Sequence, residues 1–155
     1  ALNHALESIA GLNSEIQRQT LLGGAPESLM DRRQTLVDQI ARLVPIREFA
    51  REDGRIMLMA EDGSILVDRV AARFAFARTP DPSAQERIDN GGVSPVLLNG
   101  RDVSPTSALF ASGQLGAALR IRDTVSLEMQ DGIDRIAADL IARFAAPEID
   151  ASLGA

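Results

Sequence analysis

Cysteine is absent from the 155 residues, which excludes a disulfide framework, a thiolate metal site and a thiol nucleophile. Tryptophan and tyrosine are absent too, leaving five phenylalanines as the whole aromatic content. A core so poor in rings must be built from Leu, Ile, Val and Ala, as interlocking helices are, and aromatic-lined ligand pockets are disfavoured. Lysine is missing as well, since all 16 basic residues are arginine, so no Walker-type phosphate loop can be completed. The single histidine, His4, supplies neither a metal cluster nor a Ser-His-Asp arrangement.

Positive charge is in deficit: the net charge is −6 and the pI about 4.8. Nucleic-acid binding draws most of its affinity from neutralised phosphates, so none is expected. Long apolar runs are also missing. The longest uncharged stretch, Val103 to Leu119, is broken by Pro105, Gly113 and Gly116 and predicts a loop entering a helix, with no membrane insertion.

What is present is ordinary for a folded chain: 45% apolar and 25% charged residues, enough for one main unit carrying a smaller one. Leu2, Leu6, Ile9, Leu12 and Ile16 recur every three or four residues, with Glu7, Ser8, Asn13 and Arg18 off that stripe, and predict an amphipathic helix over residues 2–19. Gly23, Gly24 and Pro26 end it. Ser28 and Asp31 have the spacing of a capping box for a second helix, whose apolar face is Leu29, Leu36, Val37, Ile40, Leu43 and Val44 and which Pro45 stops.

From residue 46 the period shortens. Runs rich in Ile, Leu, Val and Phe are separated by Asp53-Gly54, Asp62-Gly63 and Asn99-Gly100, dipeptides favoured in type I′ hairpins. Strands are predicted at 46–50, 55–60, 64–67, 73–78, 96–98 and 101–103, with 79–95 an exposed Pro- and Gly-rich loop. Leu115, Leu119, Val125, Met129, Ile133, Ile136, Leu140 and Phe144 then mark a long helix ending before Pro147; its stripe is expected to lie against the first two helices, with Gly132 at a close approach. The predicted class is α+β: an antiparallel core of three long helices, residues 1–45 and 112–147, with a small antiparallel β domain inserted at 46–111.

Little in this plan offers chemistry. Asp62 and Asp68 sit where turns and strand edges favour Asp, and Asp89-Asn90-Gly91-Gly92 lacks the ligand spacing and closing Glu of a calcium loop. No catalytic residue, cofactor or metal is predicted. Two charged clusters remain, Asp31-Arg32-Arg33 and Arg120-Ile121-Arg122-Asp123. They read either as ion pairs between helices or, more plainly, as solvated faces worth under ~1 kcal/mol per pair.

The segments holding these clusters carry a family resemblance. Ser28 to Val44 reads Ser-Leu-x-Asp-Arg-Arg-x-x-Leu-x-Asp-x-Ile-x-x-Leu-Val, Asp62 to Asp68 reads Asp-Gly-Ser-x-Leu-Val-Asp, and Ser112 to Asp123 reads Ser-Gly-x-Leu-Gly-x-x-Leu-x-x-Arg-Asp. In this order, after an Asn-containing helix, they resemble the flagellar hook-associated protein of the first type. Two departures are Asp68-Arg69, where the family often has glycine, and Ala117, where it often has a second glycine.

The resemblance implies an axial structural subunit at the hook–filament junction, secreted by the flagellar export route and without catalysis. It implies hook protein, a second junction protein and copies of itself as partners of the full-length chain. It also implies that this is an interior fragment lacking the terminal heptad segments, hence a monomer in isolation. Asp31, Arg32, Gly113, Leu115, Gly116, Arg122 and Asp123 are then the inter-helix candidates. The competing reading is an extracellular or periplasmic ligand-binding module, with loop 79–95 capping a pocket in the β unit.

Overall fold

The computed structural model describes residues 1–78, 88 and 90–145. Two helices that pack on each other open the chain, α1 (Leu2–Leu21) and α2 (Glu27–Leu43). Gly23, at φ 72°, turns the chain between them. The predicted capping box does not form. Pro26 stands at the N-cap, its carbonyl accepting from the Leu29 and Met30 amides at 3.0 Å, so Ser28 already lies inside the first turn. Proline suits that start because it lacks the amide that a helix leaves unpaired there. Val44, extended before Pro45, ends α2 as expected.

The middle of the chain forms two three-stranded antiparallel sheets. β1 (Ile46–Ala50), β2 (Ile56–Ala60) and β3 (Ile65–Val67) make the first; β4 (Phe74–Phe76), β5 (Val96–Leu98) and β6 (Arg101–Val103) make the second. The strands fall within a residue or two of the positions that alternation predicted. In β2, Ile56, Leu58 and Ala60 are buried while Met57 and Met59 are only half so, the period-2 pattern of a strand with one face on a core.

The turns differ from expectation in kind. Only at Asn99-Gly100 do both residues have positive φ, 52° and 79°, as a type I′ turn requires. At Asp53-Gly54 and Asp62-Gly63 only the glycine is left-handed, at 80° and 85°. These are longer loops in which the Asp carboxylate accepts a backbone amide two residues on, Asp53 from Arg55 at 3.2 Å and Asp62 from Ser64 at 2.9 Å.

A short 3₁₀ turn, Ala108–Phe110, leads into α3 (Gly113–Arg120). A π turn at Ile121–Val125 follows, and then α4 (Ser126–Phe144). One buried cluster unites helices and sheets: Leu6 and Ile9 of α1, Ile40 of α2, Leu58 and Leu66 of the first sheet, and Leu109 are fully buried.

Of the expectation that the long last helix lies along the first two, the part that holds is α3 against α2, where Gly116 and Leu119 are buried. α4 buries nothing. Its apolar stripe is exposed, so the core contains three helices but not the full length of the third. The loop predicted at 79–95 lies in part outside the described residues, as does the helix stop at Pro147.

Candidate assembly surface

α1 is the spine on which both sheets are mounted, and asparagine does the mounting. Asn3 donates from Nδ2 to the Phe74 carbonyl at 2.7 Å and accepts the Phe74 amide on Oδ1 at 2.8 Å. Asn13 does the same to Ile56, donating at 2.8 Å and accepting at 3.1 Å. A carboxamide carries one donor and one acceptor side by side, so each asparagine presents to its strand what a neighbouring strand residue would. The two joints stand about 15 Å apart along the helix, one for each sheet.

The Asn13 joint is closed by Arg33 of α2, whose Nη1 donates to Asn13 Oδ1 at 3.0 Å and to the Gly54 carbonyl at 2.8 Å. Both residues are buried, Asn13 at 1% exposure. Burial lowers the Arg33 pKa from its usual value, partly offset by Glu48, and the guanidinium stays charged because its reference value is so high. Helix, helix and hairpin therefore meet at one polar node, in which the Asn13 carboxamide is matched by the Ile56 backbone and Arg33.

Sequence reasoning passed over these residues. It placed Asn13 off the α1 stripe, yet the buried line is Leu6, Ile9, Asn13 and Ile16, spaced three, four and three. A polar residue on an apolar line was the available signal. In the Asp31-Arg32-Arg33 cluster, Asp31 and Arg32 are exposed and only Arg33 turns inward.

The other singled-out residues gather at the root of the last helix. Gly113, at φ +80°, lies so close to the end of α2 that a Cβ there would sit 2.6 Å from the Leu43 carbonyl oxygen. Gly116 is pressed onto the Phe110 carbonyl, with no room for a Cβ. Leu115 is half-buried against the core. Arg122 forks onto its neighbour Asp123, with Nη2 to Oδ2 at 2.8 Å, and donates from Nη1 to the Ser94 carbonyl at 3.3 Å. Its guanidinium lies 5.6 Å from the centre of the Phe76 ring, within cation–π range. Arg122 thus ties the helix to the second sheet, and no ion pair joins the 31–33 cluster to the 120–123 cluster among the described residues.

Beyond that root α4 is open to solvent along its length. Met129, Ile133, Ile136, Leu140, Ile141 and Phe144 are 49–69% exposed, a continuous apolar face of the kind that monomeric proteins avoid. Gly132 beside it has no neighbour that a Cβ would meet. An apolar groove of about 370 Å³ opens between Leu2, Phe74, Phe76, Val96, Leu119 and Arg122.

Elsewhere the carboxylates serve turns. Asp62 accepts from Ser64 and from the Ser107 hydroxyl at 3.2 Å, and Asp68 lies 3.7 Å from Arg51. No group of three potential metal-ligating side chains, and no helix long and apolar enough to cross a membrane, occurs among the described residues.

A family model described as the flagellar hook-associated protein FlgK helical domain matches residues 1–147. The chain belongs to this family. Flagellar hook-associated protein 1 of Salmonella typhimurium (strain LT2) and that of Salmonella typhi are each 28% identical to it over 123 residues, 78% of this chain and 22% of theirs. The chain therefore spans about a fifth of the length of these curated relatives. Within this FlgK helical domain, the asparagine joints and the Arg122 anchor hold the sheets to the helices, and α4 carries the free face.

Proposed function

We propose that this FlgK helical domain is a structural segment of the hook–filament junction, outside the cell, and that α4 is a packing surface for the long helices of axial proteins. The observation that supports it best is the unshared apolar face of α4. A helix of 19 residues with such a stripe has little stability of its own in water, and packing of that stripe is where its free energy lies. Partners of this kind are hook protein, a second junction protein, copies of the same subunit and other parts of the full-length chain, which reaches the cell exterior by the flagellar export route. The domain carries no reaction and needs no cofactor. The inter-helix residues Gly113, Leu115, Gly116, Arg122 and Asp123 set the root from which α4 leaves, while Asp31 and Arg32 belong to a solvated face. The ligand-binding alternative gains no support from the family match.

Immunogold electron microscopy of sheared flagella, with antibody raised against this domain, tests the location. Label confined to the hook–filament boundary is expected. Label spread along the filament, or none on flagella, would overturn the junction role.

A further inference from the structure

We infer that the π turn at residues 121–125, pinned by Arg122, is the element that aims the apolar face of α4 away from the body of the domain. The use of that face rests on the assembly reading above; the geometry does not. The turn is defined by a hydrogen bond from the Ser126 amide to the Ile121 carbonyl, five residues back, where an α-helix would reach only four. A π turn holds one residue more than an α turn, and everything after it is rotated by about 100° relative to an unbroken helix.

The rotation decides which way the stripe faces. α3 meets the body through Gly116 and Leu119, with Leu115 beside them. Counting about 100° per residue from Leu119, an unbroken helix would carry the line of Met129, Ile133, Ile136 and Leu140 about 70° from that inward direction; with the extra residue it lies about 170° away. The same sequence wound as plain α-helix would thus keep its stripe within about 70° of the side that meets the body. Wound as observed, it presents the stripe on the opposite side.

Such a turn has poorer hydrogen-bond geometry than the helix around it and persists where side chains hold it. Arg122 is placed to do so. It lies in the turn's first half, forks onto Asp123, donates to the Ser94 carbonyl and covers Phe76. The Arg122 and Asp123 side chains are only 24% and 12% exposed, so the anchor is fixed to the second sheet rather than waving in solvent. Arg122 is a positioning residue for the docking face, acting through the helix that it clamps.

The chain has no cysteine, which permits paired spin labels without background. One label at Arg69→Cys on the body is combined with a second at either Ile133→Cys, on the stripe, or Arg135→Cys, on the far side of α4, and distances are read by pulsed electron paramagnetic resonance. Deleting Thr124 removes the extra residue, and the shorter chain wound as plain α-helix brings every later residue to the angle it already has. Both distances are therefore expected to hold to within about 2 Å. Shifts in opposite senses by several ångströms, which a helix about 10–12 Å across gives when a regular stretch loses one residue and the rest turns by about 100°, would overturn the inference.

Arg122→Ala is expected to broaden both distance distributions and Arg122→Lys to restore them only in part, because the fork is lost; unchanged, narrow distributions would remove Arg122 from the role. Should the deletion fail to fold, the unaltered chain still decides the geometry by scalar coupling across hydrogen bonds: coupling of the Ser126 amide to the Ile121 carbonyl is expected, and coupling to the Arg122 carbonyl would overturn the turn itself. All these readouts use the isolated chain, so they can fail while the junction role stands, and immunogold can fail while they stand.

Discussion

Asn13 pairs with Ile56 as one strand residue pairs with another, its carboxamide exchanging two hydrogen bonds with the Ile56 backbone at 2.8 and 3.1 Å. The helix thereby serves as an edge for the hairpin. Asn13→Ala would leave the Ile56 amide and carbonyl and one Arg33 bond unmatched in a site closed to water, a loss of about 3 kcal/mol. Arg33→Ala should cost a similar amount, while Arg32→Ala, on the exposed neighbour, should fall within about 0.5 kcal/mol of the parent. Urea denaturation of the three variants measures this, and equal effects of Arg32→Ala and Arg33→Ala would contradict the node.

Three glycines of the final helical segment should respond differently to the same methyl group. Gly113→Ala meets the Leu43 carbonyl and an unfavourable φ, and Gly116→Ala meets the Phe110 carbonyl, so each should destabilise by about 2 kcal/mol or more. Gly132→Ala meets nothing and should gain up to ~1 kcal/mol from helix propensity. Thermal unfolding of the three variants separates these outcomes.

Acid should weaken the first hairpin through Asp53. Burial pushes its carboxyl up, but the Arg55 amide and the Arg55 side chain, 2.7 Å away, outweigh it and leave the pKa below its reference of 3.8. A carboxylate depressed in the folded state stabilises above its unfolded value and loses that contribution as pH falls through the folded one. Asp53→Asn is therefore expected to melt below the parent at pH 7 and level with it at pH 2. A gap that persists at pH 2 would point to packing instead of charge.

The α4 stripe should matter for assembly and hardly at all for the isolated fold. Ile133→Asp with Ile136→Asp is expected to leave the main melting transition within about 1 °C of the parent, because both side chains are more than half exposed and exposed changes cost little. The same pair should abolish filament attachment in motile cells. One helix of this length falls short of the ~1,200 Å² that a stable interface buries, so the isolated chain should sediment as a monomer at micromolar concentration.

Much of the fold could be read from residue order alone, because it is set by local physics. The change from a three-and-four period to a two-residue period at Ile46 located helices and strands, and Asn99-Gly100 marked a turn that only those residues enter cheaply. The close approach expected at Gly132 is absent, since nothing lies within reach of a Cβ there; it falls instead at Gly113 and Gly116, which were read only as inter-helix candidates. The capping box at Ser28 failed because Pro26 begins the helix before Ser28 can act, and Asn13 was missed because a carboxamide looks polar until its strand partner is known.

The sequence by itself determined that α4 would be amphipathic: the spacing of Met129, Ile133, Ile136 and Leu140 does not depend on surroundings. Only the tertiary structure decided where that face points. One residue of extra winding at 121–125, held by Arg122 against Phe76 and Ser94, turns the rest of the helix by about 100°, and a choice fixed by contacts so distant in the chain is invisible to any local pattern.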